Sequence, residues 1–178
     1  MPFPRSSVLL CIILTSLALA PQDKPASAQK PSEKDSRQFS LIKGEMDGHP
    51  LFVIIASDLK TYPPKSKFPW FLSLSTPLIG PTADGLPQGE DFAALNAWED
   101  DMEARVAKLG RYFYVGHVTW NGSRQALYYL EKPEPTVNAL RKVRDSHSTR
   151  AFDLHCEKDK DWKNVSRYIG TVAPQSAK

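Results

Sequence analysis

The chain has 178 residues, of which 41% are hydrophobic and 24% charged, and its formal net charge is +3 at pH 7. These values predict one globular domain with polar ends. Basic and acidic side chains are interleaved along the sequence, so no concentrated basic face is expected and nucleic acid is not predicted as a partner.

The first 28 residues have the layout of a secretory signal peptide. Arg5 precedes an uncharged run from Ser6 to Ala20, and the small residues Ala26-Ser27-Ala28 follow. The run is shorter than the roughly 20 apolar residues that span a bilayer. We therefore expect cleavage after residue 28, an exported protein in the periplasm or outside the cell, and no stable membrane anchor. An uncleaved anchor is the alternative.

Removal of residues 1–28 leaves 21 of the 23 basic and 19 of the 20 acidic side chains. Cys156 is then the sole cysteine, which excludes an internal disulfide. Residues 29–38 are polar without an apolar period and predict a flexible linker. We expect a single α+β domain over residues 39–174 and a disordered tail over residues 175–178.

Three strands are predicted in the first half of the domain. Phe39–Met46 and Leu51–Ser57 are rich in strand-forming residues and flank Asp47-Gly48, a pair suited to the positive φ angles of a type I′ hairpin turn. After a proline-rich loop, Trp70–Ser75 predicts the third strand.

A long helix is predicted next, because apolar residues recur at spacings of three and four and Gly110 follows them. Its predicted buried side consists of Phe92, Leu95, Trp98, Met102, Val106 and Leu109. The acidic residues Glu99, Asp100, Asp101 and Glu103 are expected on the solvated side, where they favour the amino-terminal half of the helix rather than bind a cation.

A second hairpin follows the helix. Tyr112–Trp120 and Ser123–Glu131 flank Asn121-Gly122, a strong hairpin signal. Pro135 is suited to the start of a second helix, Phe152 to Cys156 alternate as a last strand, and a helical turn is predicted near Trp162 to Tyr168.

The order from Trp70 onward is strand, helix, strand, strand, helix, strand. This order predicts a ferredoxin-like split βαβ sandwich, with an antiparallel sheet and two main helices. The hairpin of Phe39 to Ser57 is an N-terminal addition to that plan.

Several phrases together resemble the bacterial family called domain of unknown function 695. They are Gly85-Leu86-Pro87, Trp98-Glu99-Asp100, Val115-Gly116 with Thr119, Gly122 and Arg124, the tyrosines Tyr128 and Tyr129, and Asp161-Trp162. The resemblance covers roughly Phe39 to Pro174. It implies an α+β sandwich with a distant similarity to the regulator B of ribonuclease E activity, which acts by binding, and it brings no established catalytic residues.

Strict alternation divides the second hairpin into two faces that are both apolar enough to be buried. One face carries Phe113, Val115, His117, Thr119, Arg124, Ala126, Tyr128 and Leu130; the other carries Tyr112, Tyr114, Gly116, Val118, Trp120, Gln125, Leu127, Tyr129 and Glu131. The helices of a ferredoxin-like sheet cover one face only. The other face must be covered by the chain itself, a second copy or a ligand.

The face with the tyrosines and Trp120 is expected to point outward, since phenol and indole groups tolerate an amphipathic boundary. The candidate binding residues are Tyr112, Tyr114, Trp120 and Tyr129 from that face, and Arg124 from the other.

No metal site or cofactor is predicted. In the ferredoxin-like order His117 and His155 lie on opposite edge strands, about 14 Å apart across three spacings of about 4.8 Å. Two ligands of one zinc ion each lie about 2 Å from it. Catalytic signatures such as a nucleophile elbow or a phosphate-binding glycine loop do not occur in the sequence.

Two functional hypotheses follow. The first is an exported, non-catalytic module that uses its aromatic sheet face or edge to bind a ligand, a protein partner or a second copy of itself. The alternative is a small hydrolase or ligand-processing enzyme with its site near Thr119, Arg124 and the Gly85-Leu86-Pro87 loop. A pocket with titratable groups at that place would favour the alternative.

Overall fold

The computed structural model describes residues 37–59 and 65–169. The predicted signal peptide (1–28), the predicted tail (175–178) and residues 29–36 of the predicted linker lie outside the described residues. Arg37 is the first described residue, and its side chain donates to the Tyr114 carbonyl at 3.0 Å and lies over the Phe113 ring.

The described chain folds into one antiparallel six-stranded sheet with three α-helices, so the predicted α+β class is confirmed. The strands are β1 (Phe39–Met46), β2 (His49–Ala56), β3 (Trp70–Pro77), β4 (Tyr112–Trp120), β5 (Ser123–Leu130) and β6 (Asp153–Lys158). Their order across the sheet is β1-β2-β4-β5-β3-β6. The N-terminal hairpin therefore extends the sheet beside β4, which is an interior strand rather than the edge that the sequence predicted.

Both predicted hairpins are confirmed. Asp47 and Gly48 have φ angles of 53° and 76°, and Asn121 and Gly122 have 40° and 75°. These positive values are the ones that a type I′ turn requires. Each two-residue turn sets the register of its hairpin, with Trp120 opposite Ser123.

The helices are α1 (Glu90–Ala107), α2 (Glu134–Ser146) and α3 (Lys163–Ile169). Helices α1 and α2 cover one sheet face, which we call the α1 face, through an apolar cluster that includes Trp98, Met102 and Leu140. The opposite face is covered by the chain itself. Trp162 and Val165 at α3 pack there with Leu59 and other apolar residues. Self-coverage thus accounts for the second apolar surface.

The predicted polar and apolar sides of α1 need two corrections. Phe92, predicted to be buried, is 54% exposed. Glu99 and Glu103, predicted to be solvated, are only 2% and 4% exposed. The two carboxylates are four residues apart and face the sheet, where tyrosine hydroxyls donate hydrogen bonds to them. A buried carboxylate is tolerated when donors satisfy it.

The predicted faces of β4 also need a correction, because a β-bulge interrupts its pairing with β5 between Tyr114 and Gly116. One extra residue in the strand changes the phase of the alternation. Tyr112 and Tyr114 therefore lie on the α1 face together with His117, instead of opposite to it.

Candidate functional site

A pocket of about 390 Å³ lies on the α1 face where the N-terminal hairpin extends the sheet. We call it the Arg124 pocket. It is lined by Leu41, Phe52, Ile54, Leu86, Pro87, Phe92, Asn96, His117, Thr119 and Arg124. A second pocket of about 330 Å³ adjoins it and shares Ile54, Asn96 and His117.

Strand register explains how the lining residues come together. Leu41 pairs with Ile54, and Ile54 pairs with His117, so the three form a row across β1, β2 and β4. Residues directly opposite each other in a sheet point to the same face. Phe52 pairs with Thr119, which in turn pairs with Arg124. Two adjacent rows in the sheet thus supply six of the residues that line the pocket.

The loop that carries Leu86 and Pro87 is tied to the β4–β5 turn. Gly122 donates its N–H to the Gly85 carbonyl at 3.0 Å, and Leu78 donates to the Gly122 carbonyl at 2.8 Å. Gly85 has a φ of 74°, and a Cβ on it would lie 2.7 Å from the Gly122 nitrogen. Close approach of two backbones therefore requires glycine here.

Glu99 lies at the centre of a polar cluster between α1 and the sheet. Its carboxylate accepts a hydrogen bond from the Tyr114 hydroxyl, and His117 Nδ1 lies 2.9 Å from Oε2. An ionised carboxylate only accepts, so with Glu99 ionised the proton of this contact is on Nδ1. Burial, followed by the Glu99 charge, raises the pKa of Tyr114 well above its usual value. The tyrosine thus stays protonated and acts as a donor.

Arg124 is 3% exposed, yet it lines the pocket. Its Nε donates to Thr119 Oγ1 at 3.1 Å, its Nη1 donates to Asn96 Oδ1 at 2.9 Å, and Nη1 lies 4.0 Å from Glu99 Oε2. Burial lowers the pKa of Arg124, and the Glu99 charge opposes that shift. Arginine remains charged in proteins, so the pocket contains a desolvated cation.

The walls around this cation are apolar. The N-terminal hairpin contributes Leu41, which is 54% exposed, and two half-buried residues, Phe52 and Ile54. Phe92 of α1 also lines the pocket, with its ring centroid 5.9 Å from the Arg124 guanidinium carbon. Apolar walls with a few convergent polar groups are typical of small-molecule sites.

The predicted binding residues have different positions in the structure. Tyr112, Tyr114 and Tyr129 are buried, so the expectation that they point outward is wrong. The first two lie beneath α1, and the Tyr129 ring stacks on Trp162 with the centroids 4.0 Å apart. Trp120 is half-buried and donates its indole N–H to the Met46 carbonyl at 2.9 Å. These four aromatic residues do not form a common exposed surface.

Arg124 and Thr119 were correctly placed near the Leu86-Pro87 loop, since all four residues line one pocket. Sequence reasoning missed Glu99 and Asn96, and it considered His117 only as a metal ligand. Asn96 and Glu99 are three residues apart on α1, so the sequence indicates that they lie on the same face of the helix. This signal could not be used without knowledge of the bulge that turns Tyr114 to the same face as His117.

Among the described residues no group of three or more histidine, cysteine or carboxylate side chains is arranged to hold a metal ion. His117 lies on β4 and His155 on β6, with β5 and β3 between them. In the same part of the chain, no helix is both long and apolar enough to cross a membrane.

Comparison with known proteins gives one match. No curated protein and no solved structure matches the chain. A family model described as a family of unknown function, DUF695, matches residues 38–168, which include every strand and helix of the structure except the last residue of α3. The chain therefore belongs to the DUF695 family.

Proposed function

We propose that this protein is an exported binding module that holds a small, largely apolar molecule in the Arg124 pocket. The observation that carries the proposal is a buried guanidinium at the base of an apolar-walled pocket of about 390 Å³. This volume lies within the range of ligand sites in proteins, about 300–1,000 Å³. The sequence of residues 1–28 supports export.

The N-terminal hairpin of β1 and β2 forms part of the proposed binding site. Leu41, Phe52 and Ile54 of β1 and β2 make one wall of the pocket. Without them the pocket would lack that wall, and the α1 face beside His117 and Thr119 would be open to solvent. The extension of the sheet thus supports a role in ligand binding rather than in stability alone.

Phe92 offers a direct test of the proposal. Because its ring lines the pocket and is 54% exposed, Phe92→Ala should leave the fold intact and weaken the binding of an apolar probe such as octanol. We expect a loss of about tenfold in affinity, equivalent to about 1.4 kcal/mol. NMR titration of the whole chain would measure it through shifts of the amides of Ile54 and Thr119.

The matched control is Ile79→Ala. Ile79 is 66% exposed but does not line the pocket, so its substitution should leave the affinity unchanged. Equal affinities for wild type and Phe92→Ala, or amide shifts confined to other surfaces, would contradict binding in the Arg124 pocket.

A second candidate function is hydrolysis, which the contact between Glu99 and His117 favours. A carboxylate on one imidazole nitrogen orients the ring and leaves the other nitrogen to take a proton from water. Turnover of a medium-chain ester by the whole chain, abolished in His117→Gln, would support this function. Turnover that survives the substitution would count against it.

The ferredoxin-like plan is our proposal for the architecture of the domain. Support comes from the strand order β4-β5-β3-β6 and from the packing of α1 and α2 on one face of those strands. In this arrangement each of these helices connects two strands that have one strand between them.

A further inference from the structure

The guanidinium of Arg124 has an unused donor. Nε and Nη1 bind Thr119 and Asn96, whereas Nη2 donates no hydrogen bond to any residue in the described part of the chain. An arginine has five N–H donors, and Nη2 is not one of the fully buried polar atoms that lack a partner in the described part of the chain, so it is accessible to a molecule in the pocket. A bound molecule with an oxygen acceptor can therefore accept a hydrogen bond from Nη2.

His117 supplies the complementary group on the same pocket. Its Nδ1 is directed at Glu99, and its Nε2 contacts no donor or acceptor among the residues that the structure describes. In a neutral imidazole whose Nδ1 carries the proton, Nε2 is an acceptor. With that imidazole neutral, the pocket presents one donor, on Arg124, and one acceptor, on His117.

The charges around the pocket favour an uncharged ligand. The positive charge of Arg124 already lies 4.0 Å from the carboxylate of Glu99. The next charged pair, Asp91 with Arg150, is also neutral in sum. A ligand carboxylate would add a second anion near Glu99 between apolar walls, where an uncompensated charge is costly.

We propose that the ligand is an acyl amide, a molecule with an apolar chain and a neutral amide head. Its carbonyl oxygen accepts from Arg124 Nη2, its N–H donates to His117 Nε2, and its chain lies against Phe52, Ile54 and Phe92. This inference rests on the proposed binding function and specifies the chemistry that the same pocket recognises.

Three ligands with the same chain length test the inference by calorimetry on the whole chain at neutral pH. Octanamide offers an acceptor and a donor, methyl octanoate an acceptor alone, and octanoate a charged head. We expect octanamide to bind about tenfold more tightly than octanoate, with methyl octanoate between them. Octanoate binding as tightly as octanamide would overturn the amide inference and leave the binding function standing. If none of the three binds, the binding function itself fails.

Variants localise the head group. His117→Phe removes the acceptor and should abolish the preference of octanamide over methyl octanoate while both still bind. Arg124→Lys keeps the charge but not the planar fork of donors, and it should weaken the binding of both uncharged ligands.

Arg124 also donates hydrogen bonds to Thr119 and Asn96, so its substitution can disturb the pocket itself. A nitrogen-15 spectrum of the imidazoles in the wild-type protein therefore gives an independent measurement. The Nε2 resonance of His117 should shift with octanamide and stay in place with methyl octanoate. A shift with neither ligand would overturn the proposed contact.

Discussion

Two neighbouring tyrosines on the α1 face show how much a single hydroxyl depends on its surroundings. The rings of Tyr114 and Tyr128 lie 5.2 Å apart between their centroids, and both side chains are buried. The Tyr114 hydroxyl donates to Glu99. The Tyr128 hydroxyl is fully buried and has no hydrogen-bond partner in the described part of the chain. A buried polar atom without a partner lowers stability.

Substitution of each tyrosine by phenylalanine should therefore have opposite effects. Tyr128→Phe removes an unsatisfied hydroxyl and should raise the free energy of unfolding, or leave it unchanged, within about 1 kcal/mol. Tyr114→Phe takes a donor away from the buried carboxylate of Glu99 and should cost about 1–3 kcal/mol. Urea denaturation of the two variants would measure the difference. Equal losses in both would show that the Tyr128 hydroxyl has a partner.

At the scale of elements, the bulge in β4 determines which side chains share the site. It places His117 three residues after Tyr114 on the same face, so that both reach Glu99. Gly116 makes the bulge possible. Its φ is 140°, and a Cβ on it would lie 1.9 Å from the Ile54 carbonyl oxygen of the neighbouring strand.

Gly116→Ala should accordingly be among the most damaging small substitutions in the sheet. Backbone strain at such a residue costs about 1–3 kcal/mol, and the clash with β2 adds to it. We expect a fall of at least about 3 kcal/mol in the free energy of unfolding, seen by urea denaturation, together with loss of ligand binding. Gly44→Ala in β1 is the control, because a Cβ there has nothing within 4 Å. Similar stability of the two variants would contradict the proposed role of the bulge.

Helix α3 shows how a short element is held in place. Asp159 accepts from the backbone amides of Lys163 and Asn164, each at 2.9 Å, and from the Tyr129 hydroxyl at 2.7 Å. A carboxylate on the first amides of a helix stabilises it. Burial raises the pKa of Asp159, but these donors outweigh burial and lower it overall.

The elements could be predicted from the sequence because their signals are local. Asp47-Gly48 and Asn121-Gly122 fix both hairpins, and the apolar spacing from Leu95 to Val106 identifies α1. The site could not be predicted to the same degree. Alternation carried through Val115 without a break put the tyrosines of β4 on the wrong face. An isolated glycine such as Gly116 is a local sign of a bulge, but it does not identify the extra residue.

The burial of Glu99 was unpredictable for a related reason. On α1 alone it is one carboxylate in an acidic run, and such residues are usually solvated. Its burial depends on Tyr114 and His117, which are distant in sequence and which share one face of β4 only because of the bulge. By contrast, the pairing of Thr119 with Arg124 could be predicted, because the hairpin turn alone brings these two residues opposite each other.

At the scale of the whole molecule, buried tyrosines occupy both faces of the sheet. Burial raises the pKa of Tyr114, Tyr128 and Tyr129 above the usual value, with nearby carboxylates adding to the shift. In the unfolded chain these groups lose their protons near a pKa of about 10. Above that pH the folded protein holds more protons than the unfolded one, so the free energy of unfolding falls as the pH rises.

This linkage predicts a molecule that is sensitive to alkali. The contribution of each tyrosine to the free energy of unfolding is fully present below about pH 10. Above that pH it declines by about 1.4 kcal/mol per pH unit. Urea denaturation at a series of pH values from about 8 to about 11 would measure the slope. Tyr128→Phe should reduce the slope of the free energy of unfolding against pH by the amount that one tyrosine contributes. An unchanged slope in that variant would show that Tyr128 ionises freely in the folded state.

The hydrogen bond between Gly122 and Gly85 fixes one part of the pocket lining. Leu86 and Pro87 are anchored to the tip of the β4–β5 hairpin and cannot retreat without breaking backbone contacts in both segments. Leu41, which also lines the pocket, belongs to β1, an edge strand with a neighbour on one side only. We therefore expect a ligand to enter and leave past Leu41, while Leu86 and Pro87 keep their positions.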